Sequence, residues 1–200
     1  MPYPHAEPHA DSSNSRLNAL RAAVLGANDG IVSVAGIVVG VAGATSSKAV
    51  ILTAGIAGLV AGALSMAAGE YVSVSSQRDS ERALLAKERT ELHDYPKEEL
   101  AELKGIYQAK GLSPKTAELV AKELTAHDAF AAHAEAELKI DPNDLNNPWD
   151  AALASAASFL IGAIIPLLTI MIAPTRINVP VTFISVLVAL TLTGYLSRPS

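Results

Sequence analysis

Residues 22–44 read AAVLGANDGIVSVAGIVVGVAGA. One aspartate, Asp29, is the single Asp, Glu, Lys or Arg in this stretch. A helix crossing the hydrocarbon core needs roughly 17–25 predominantly apolar residues, so the stretch is long and oily enough to span a bilayer. Three more segments repeat the pattern, at about residues 49–71, 151–173 and 179–196. From Ala22 to Tyr71 the only Asp, Glu, Lys and Arg residues are Asp29, Lys48 and Glu70. From Ala151 to Ser197 there is only Arg176. Nearly all other charge falls between Val72 and Asp150, so oily and wet blocks alternate along the chain. Four such segments leave too little amphipathic sequence to wrap them in a soluble core. The fold expected is all-α: a polytopic bundle of membrane helices with a helical domain between spans 2 and 3.

The links Thr45-Ser46-Ser47-Lys48 and Pro174 to Pro180 are short, so the spans pair as two antiparallel hairpins. Arg16, Arg21, Arg78, Arg82 and Arg198 fall on one side of the membrane, and Lys48 and Arg176 on the other. Basic residues near membrane ends favour the cytoplasm, which puts the N-terminus and the central segment on that side. The expected organisation is a disordered tail over residues 1–20, a membrane hairpin over 21–72, a helical domain over 73–148 and a second hairpin over 149–200. The tail carries His5 and His9 and lacks the apolar core and cleavage site of a secretory signal. Within the central segment, a first helix continues out of span 2 until Pro96 interrupts it. A second runs from Lys97 to Lys110 and closes at Gly111. Ser113-Pro114 opens a third, expected to run to about Leu138. The stretch from Asp141 to Pro148 is a turn, with Trp149 as an interfacial anchor.

The chain contains no cysteine, which excludes disulfides and thiolate ligands. Its formal net charge of −5 gives no case for nucleic-acid binding. A metal site would therefore use oxygen, imidazole or thioether donors. Asp29 is the first candidate. It lies about seven residues, hence ~10 Å, inside span 1, where an aspartate costs ~2.5–3.5 kcal/mol unless it faces a cavity or partner. Its plain structural alternative is a hydrogen bond between helices. Met66 and Glu70, four residues apart, share a face of span 2. Met66 sits at a depth similar to Asp29. A thioether beside carboxylates suits a cation softer than magnesium or calcium, although a lone methionine also serves as core filler. Gly26-Gly30, Gly36-Gly40 and Gly58-Gly62 give small-residue faces for close helix packing.

The central segment carries acids at a three-residue step, which places both on one helical face. Glu88 and Glu91 form one pair, and Glu99 and Glu102 another. Glu135 and Glu137 end the third helix, near His127, Asp128 and His133. Either these are solvated faces, or the turn at Pro96 gathers them into a polynuclear carboxylate site.

These stretches together resemble the vacuolar iron transporter (VIT) family. The resemblance rests on Ala27-Asn28-Asp29-Gly30-Ile31-Val32-Ser33 and on Ser65-Met66-Ala67-Ala68-Gly69-Glu70-Tyr71-Val72-Ser73. It extends through Gln77-Arg78-Asp79, Glu81, Glu88-Arg89-Thr90-Glu91 and Pro96 to Tyr107. The resemblance implies a non-enzymatic transporter of iron(II) and manganese(II) that exchanges metal for protons, works as a homodimer and has no resident cofactor. It also implies roles for particular residues. Asp29 and Met66 would be metal ligands in the pathway, with Glu70 in the same motif. Glu88, Glu91, Glu99, Glu102 and Glu137 would be glutamates of a cytoplasmic three-helix metal-binding domain, with Glu135 the weaker fifth match. Five spans are expected of the family, and four are seen in this sequence. The membrane would be a bacterial plasma membrane or a vacuolar one. The alternatives are a membrane-anchored carboxylate di-iron enzyme, a metal-storage protein or a metal sensor. Di-iron bundles use Glu-x-x-His steps, and no Glu here has a His three residues later.

Overall fold

The computed structural model describes the backbone of residues 10–196 and the side chains of residues 23–195. Among the described residues six α-helices follow one another: α1 (Ala10–Ala44), α2 (Lys48–Asp94), α3 (Pro96–Ala109), α4 (Pro114–His133), α5 (Pro148–Ile172) and α6 (Asn178–Leu196). A π-helical turn, Ala134–Leu138, extends α4, and there is no strand among the described residues. Among the described residues, four helices carry a stretch long and apolar enough to cross a membrane: Ala23–Ala44, α2, α5 and Asn178–Tyr195. α1 starts at Ala10, so part of the stretch expected as a disordered tail is helical. Residues 1–9, with His5 and His9, and Arg198 lie outside the described residues.

The chain divides into two compact units. The first comprises residues 1–71 and 148–200, and its core is built from small and branched apolar side chains. Val34, Val38, Ile51, Ala63, Phe159, Ala163 and Ile170 form one cluster; Ile31, Ala35, Val186 and Ala189 form a second. Glycine lets the backbones of α1 and α5 approach closely. A Cβ on Gly30 would strike the carbonyl oxygen of Phe159, and one on Gly162 would strike that of Ala27. Gly62 lies against the Phe159 ring. Gly36 and Gly40 meet nothing, whereas Gly26 and Gly30 lie against the α5 backbone and Gly58 and Gly62 against the side chains of Ile37 and Phe159. Leu64, Leu153, Ile161, Phe183 and Ile184 point outward, as helices in lipid require. Lys48 is the first residue of α2, and its Nζ donates to the carbonyls of Met171 (2.5 Å) and Ala173 (3.3 Å). A cation at a helix C-terminus satisfies orphan carbonyls and complements the dipole of α5. Trp149 is exposed and its ring lies 4.8 Å from that of Tyr71.

The second unit, residues 72–147, holds the end of α2, α3, α4 and the π turn. Its helix boundaries follow from local chemistry. Pro96 cannot donate a backbone hydrogen bond, so it ends α2 and starts α3. Gly111 takes φ 101°, a left-handed conformation that glycine alone adopts without strain. Its N–H donates to Gln108 and that of Leu112 to Tyr107, the paired bonds that close a helix C-terminus. Ser113 then caps α4, its Oγ accepting from the Thr116 N–H at 3.2 Å. Leu103, Ala121, Ala132 and Ala136 form the core. Glu118 bridges Lys104 and Lys122 at 2.8 Å each; these two lysines hold its carboxyl down at about 2.

The third helix of this unit departs from the expected unbroken run to Leu138. Asp128 has φ −159° and ψ 98°, outside the helical region, and its Oδ1 accepts from the Ala131 N–H at 2.9 Å. An aspartate side chain competes with the backbone for hydrogen bonds, so it stops one helix here and caps the next. The restarted helix widens into the π turn and ends at Lys139 in the left-handed region.

Candidate metal centre

Four side chains of the second unit converge. α2 supplies Glu88, α3 supplies Glu99, the end of α4 supplies His133, and the π turn supplies Glu137. One ligand atom from each lies within 4.8 Å of all the others. The imidazole sits at the focus. His133 Nδ1 is 3.0 Å from Glu88 Oε1, 3.5 Å from Glu99 Oε2 and 3.5 Å from Glu137 Oε2. The His133 side chain is fully buried, Glu88 and Glu99 nearly so, and the Glu137 side chain is 31% exposed. The site is therefore enclosed on three sides and open at Glu137.

The local folds explain the convergence. Pro96 turns α3 away from α2 after a single non-helical residue, Tyr95, so Glu88 and Glu99 meet although eleven positions apart. The cap at Asp128 and the π turn reset the helix phase so that both His133 and Glu137 face inward. Insertions of this kind are frequent at functional sites.

Burial is the main reason the Glu88 carboxyl is pushed above its ordinary value; Glu137, Glu99 and Glu91 add to the push and His133 opposes it. Glu99 is raised first by burial, then by Glu102, against the same opposition from His133. Burial thus favours the protonated form of both acids, whereas ligation of a metal would require the deprotonated form.

Among the residues expected from the sequence, Glu88, Glu99 and Glu137 are brought together. Glu91 is not in the cluster: its carboxylate pairs with Lys87 Nζ at 2.7 Å, and the contact raises the lysine pKa. Glu102 and Glu135 are exposed, and Glu102 acts on the site only through its charge on Glu99. A three-residue step tilts the second acid of each pair away from the focus. His133 is the residue that acid pairing overlooks. Its signal was the four-residue spacing to Glu137, set among Ala132, Ala134 and Ala136, which are buried with it.

In the first unit, Asp29 is exposed and its Oδ1 accepts a hydrogen bond from Ser33 Oγ at 2.9 Å. Asn28 Oδ1 accepts from Thr193 Oγ1 of α6 at 2.6 Å. Met66 is half-buried against the cluster around Val34 and Phe159, and Glu70 is partly buried. Among the described residues, the set in the second unit is the single group of three or more His, Asp and Glu ligand atoms close enough for one ion.

Four long apolar helices and a buried carboxylate–imidazole cluster define a multi-pass membrane protein with a candidate metal-binding unit. The chain belongs to the VIT family, whose family model matches residues 20–198. A vacuolar iron transporter of Acanthamoeba castellanii is 51% identical over 149 residues, covering 74% of this chain and 54% of that protein. The chain thus spans about half the length of that relative. Vacuolar iron transporter homolog 2.1 of Arabidopsis thaliana is 35% identical over 192 residues, covering 96% of this chain and 72% of its own length. Vacuolar iron transporter 1 of rice, Oryza sativa subsp. japonica, is 31% identical over 195 residues, covering 96% of this chain and 76% of its own length.

Proposed function

We propose that this protein carries iron(II) or manganese(II) out of the cytoplasm, in exchange for protons, as its named relatives suggest for iron. The observation that carries this reading is the convergence of Glu88, Glu99, His133 and Glu137 in a chain with four membrane-length helices. The metal is cargo and not a resident cofactor, and the protein is a transporter and not an enzyme. The cluster collects the ion on the cytoplasmic side. Glu91 and Glu102 raise the local negative potential and attract it. Asp29, Met66 and Glu70 then take the ion through the membrane, with the thioether favouring a transition metal over magnesium or calcium. Protonation of a carboxylate releases the ion and resets the site. The working unit is a homodimer in a vacuolar or bacterial plasma membrane, with the N-terminus and residues 73–148 cytoplasmic.

Flux measured into proteoliposomes tests this. Fe²⁺ and Mn²⁺ are expected to enter, faster with an opposing proton gradient, while Ca²⁺ does not. Equal entry of Ca²⁺, or flux indifferent to the gradient with all orientations sampled, would contradict the reading.

A further inference from the structure

One long hydrogen bond, His133 Nδ1 to Glu137 Oε2 at 3.5 Å, does not satisfy the cluster. Three carboxylate oxygens surround one ring nitrogen, His133 Nδ1, at 3.0 to 3.5 Å. A nitrogen carries at most one proton and can donate to only one of them. The closest oxygen, Glu88 Oε1, is buried and makes no hydrogen bond despite the 3.0 Å separation. Glu88 Oε1 thus lies beside the nitrogen rather than along an N–H direction, and the other ring nitrogen, Nε2, is also buried without a partner. A cation beside Nδ1 would draw on the same four ligand atoms, which lie within 4.8 Å of one another. With bonds of ~2.0–2.2 Å, adjacent ligand atoms fall roughly 3.0–3.5 Å apart, which is the spacing observed around Nδ1.

Resting on the metal-binding reading of this site, we infer that His133 is a direct ligand and sets its selectivity, favouring iron(II) over manganese(II) and excluding magnesium and calcium. Carboxylates alone serve Mg²⁺, Ca²⁺ and Mn²⁺ well; an imidazole nitrogen favours iron and the later metals. The other side chains at the focus are all carboxylates, so the imidazole is the one donor there that distinguishes these ions. Among the described residues, His133 is the one histidine in the cluster. His93 is 88% exposed and pairs with Asp94, and His127 lies outside the cluster.

Pulsed EPR of Mn²⁺ bound to the full-length protein in detergent reads the bond itself. Directly coordinated nitrogen modulates the signal, and uniform ¹⁵N-histidine labelling changes the modulation without any mutation. The expected result is nitrogen coupling in the wild type, altered by the label and absent in His133→Gln, with Mn²⁺ still held. Anaerobic competition is expected to show Fe²⁺ displacing Mn²⁺ from the wild type at roughly tenfold lower concentration than from His133→Glu. His133→Glu should also let Ca²⁺ and Mg²⁺ compete. Mn²⁺ bound in a way that Glu88→Gln weakens, but without nitrogen coupling, overturns the role of His133 and leaves the metal-binding reading standing. Mn²⁺ binding that is absent, or indifferent to Glu88→Gln and Glu99→Gln, overturns both.

Discussion

The two units treat their acids in opposite ways. In the first, Asp29 stands on an apolar helix with a single hydrogen-bond partner, Ser33. In the second, three carboxylates are folded inward onto one buried imidazole. An acid among lipid-facing residues is conspicuous because it is costly, and little else is needed to mark it. An acid in a polar helical unit is one of many, and only the packing of three helices selects which converge. The packing differs in the same sense. Backbone approach through Gly30 and Gly162 joins the membrane helices, whereas leucine and alanine side chains fill the second unit.

The sharpest way to break this comparison is at Asp29. Asp29→Ala is expected to abolish Mn²⁺ flux in proteoliposomes while size-exclusion and helical circular dichroism profiles stay unchanged. Flux that survives the substitution would remove Asp29 from the pathway. Next in size is the contrast within the acid pairs. Glu88→Gln or Glu99→Gln should weaken Mn²⁺ binding at least ~tenfold by calorimetry. Glu91→Gln and Glu102→Gln, which alter only the surrounding charge, should have much smaller effects. Equal losses at all four would mean that the second member of each pair is also a ligand.

The glycines give a third contrast. Gly30→Ala forces a Cβ into the α5 backbone and should cost about 1–3 kcal/mol or more, read as a lower melting temperature in detergent. Gly36→Ala meets open space and should be neutral or mildly stabilising, because alanine is the better helix former. A large loss at Gly36 would indicate that another molecule covers that face.

The fold class and the helix starts were legible for reasons visible in particular residues. Charge segregation marks the four apolar helices. Pro96, Gly111 and Ser113-Pro114 punctuate the central unit through simple backbone rules. The site was only partly legible. Spacing along a helix says which acids share a face but not which face turns inward. It also cannot anticipate that Asp128 caps a new helix and that a π turn follows, and together these bring His133 and Glu137 to the focus. Asp128 follows His127 in a run that otherwise looks like continuous helix, and its local hydrogen bond decides the outcome.

A smaller effect concerns pH. Glu88 and Glu99 are raised in the folded state, so the stability they contribute is present when they are protonated and lost as pH rises through their raised values. Above the ordinary carboxylate value, the metal-free protein should therefore gain stability as pH falls from 7 toward 5. Glu118, lowered to about 2, acts in the opposite sense and only at pH below its ordinary value. Glu88→Gln should raise the melting temperature of the metal-free protein at pH 7 by a few °C and flatten the pH dependence, while saturating Mn²⁺ should flatten it in the wild type. A melting temperature that falls steadily from pH 7 to 5 would contradict the burial of these acids.

The central claim, that the buried cluster gathers metal for passage through the membrane helices, meets its most direct test in initial rates of Mn²⁺ flux across a range of Mn²⁺ concentrations. Wild-type protein is compared with a Glu88→Gln, Glu99→Gln double variant in proteoliposomes. The account predicts a KM at least ~tenfold higher in the double variant, with flux at saturating Mn²⁺ largely retained because Asp29 and Met66 are intact. An unchanged KM alongside normal wild-type flux would contradict it.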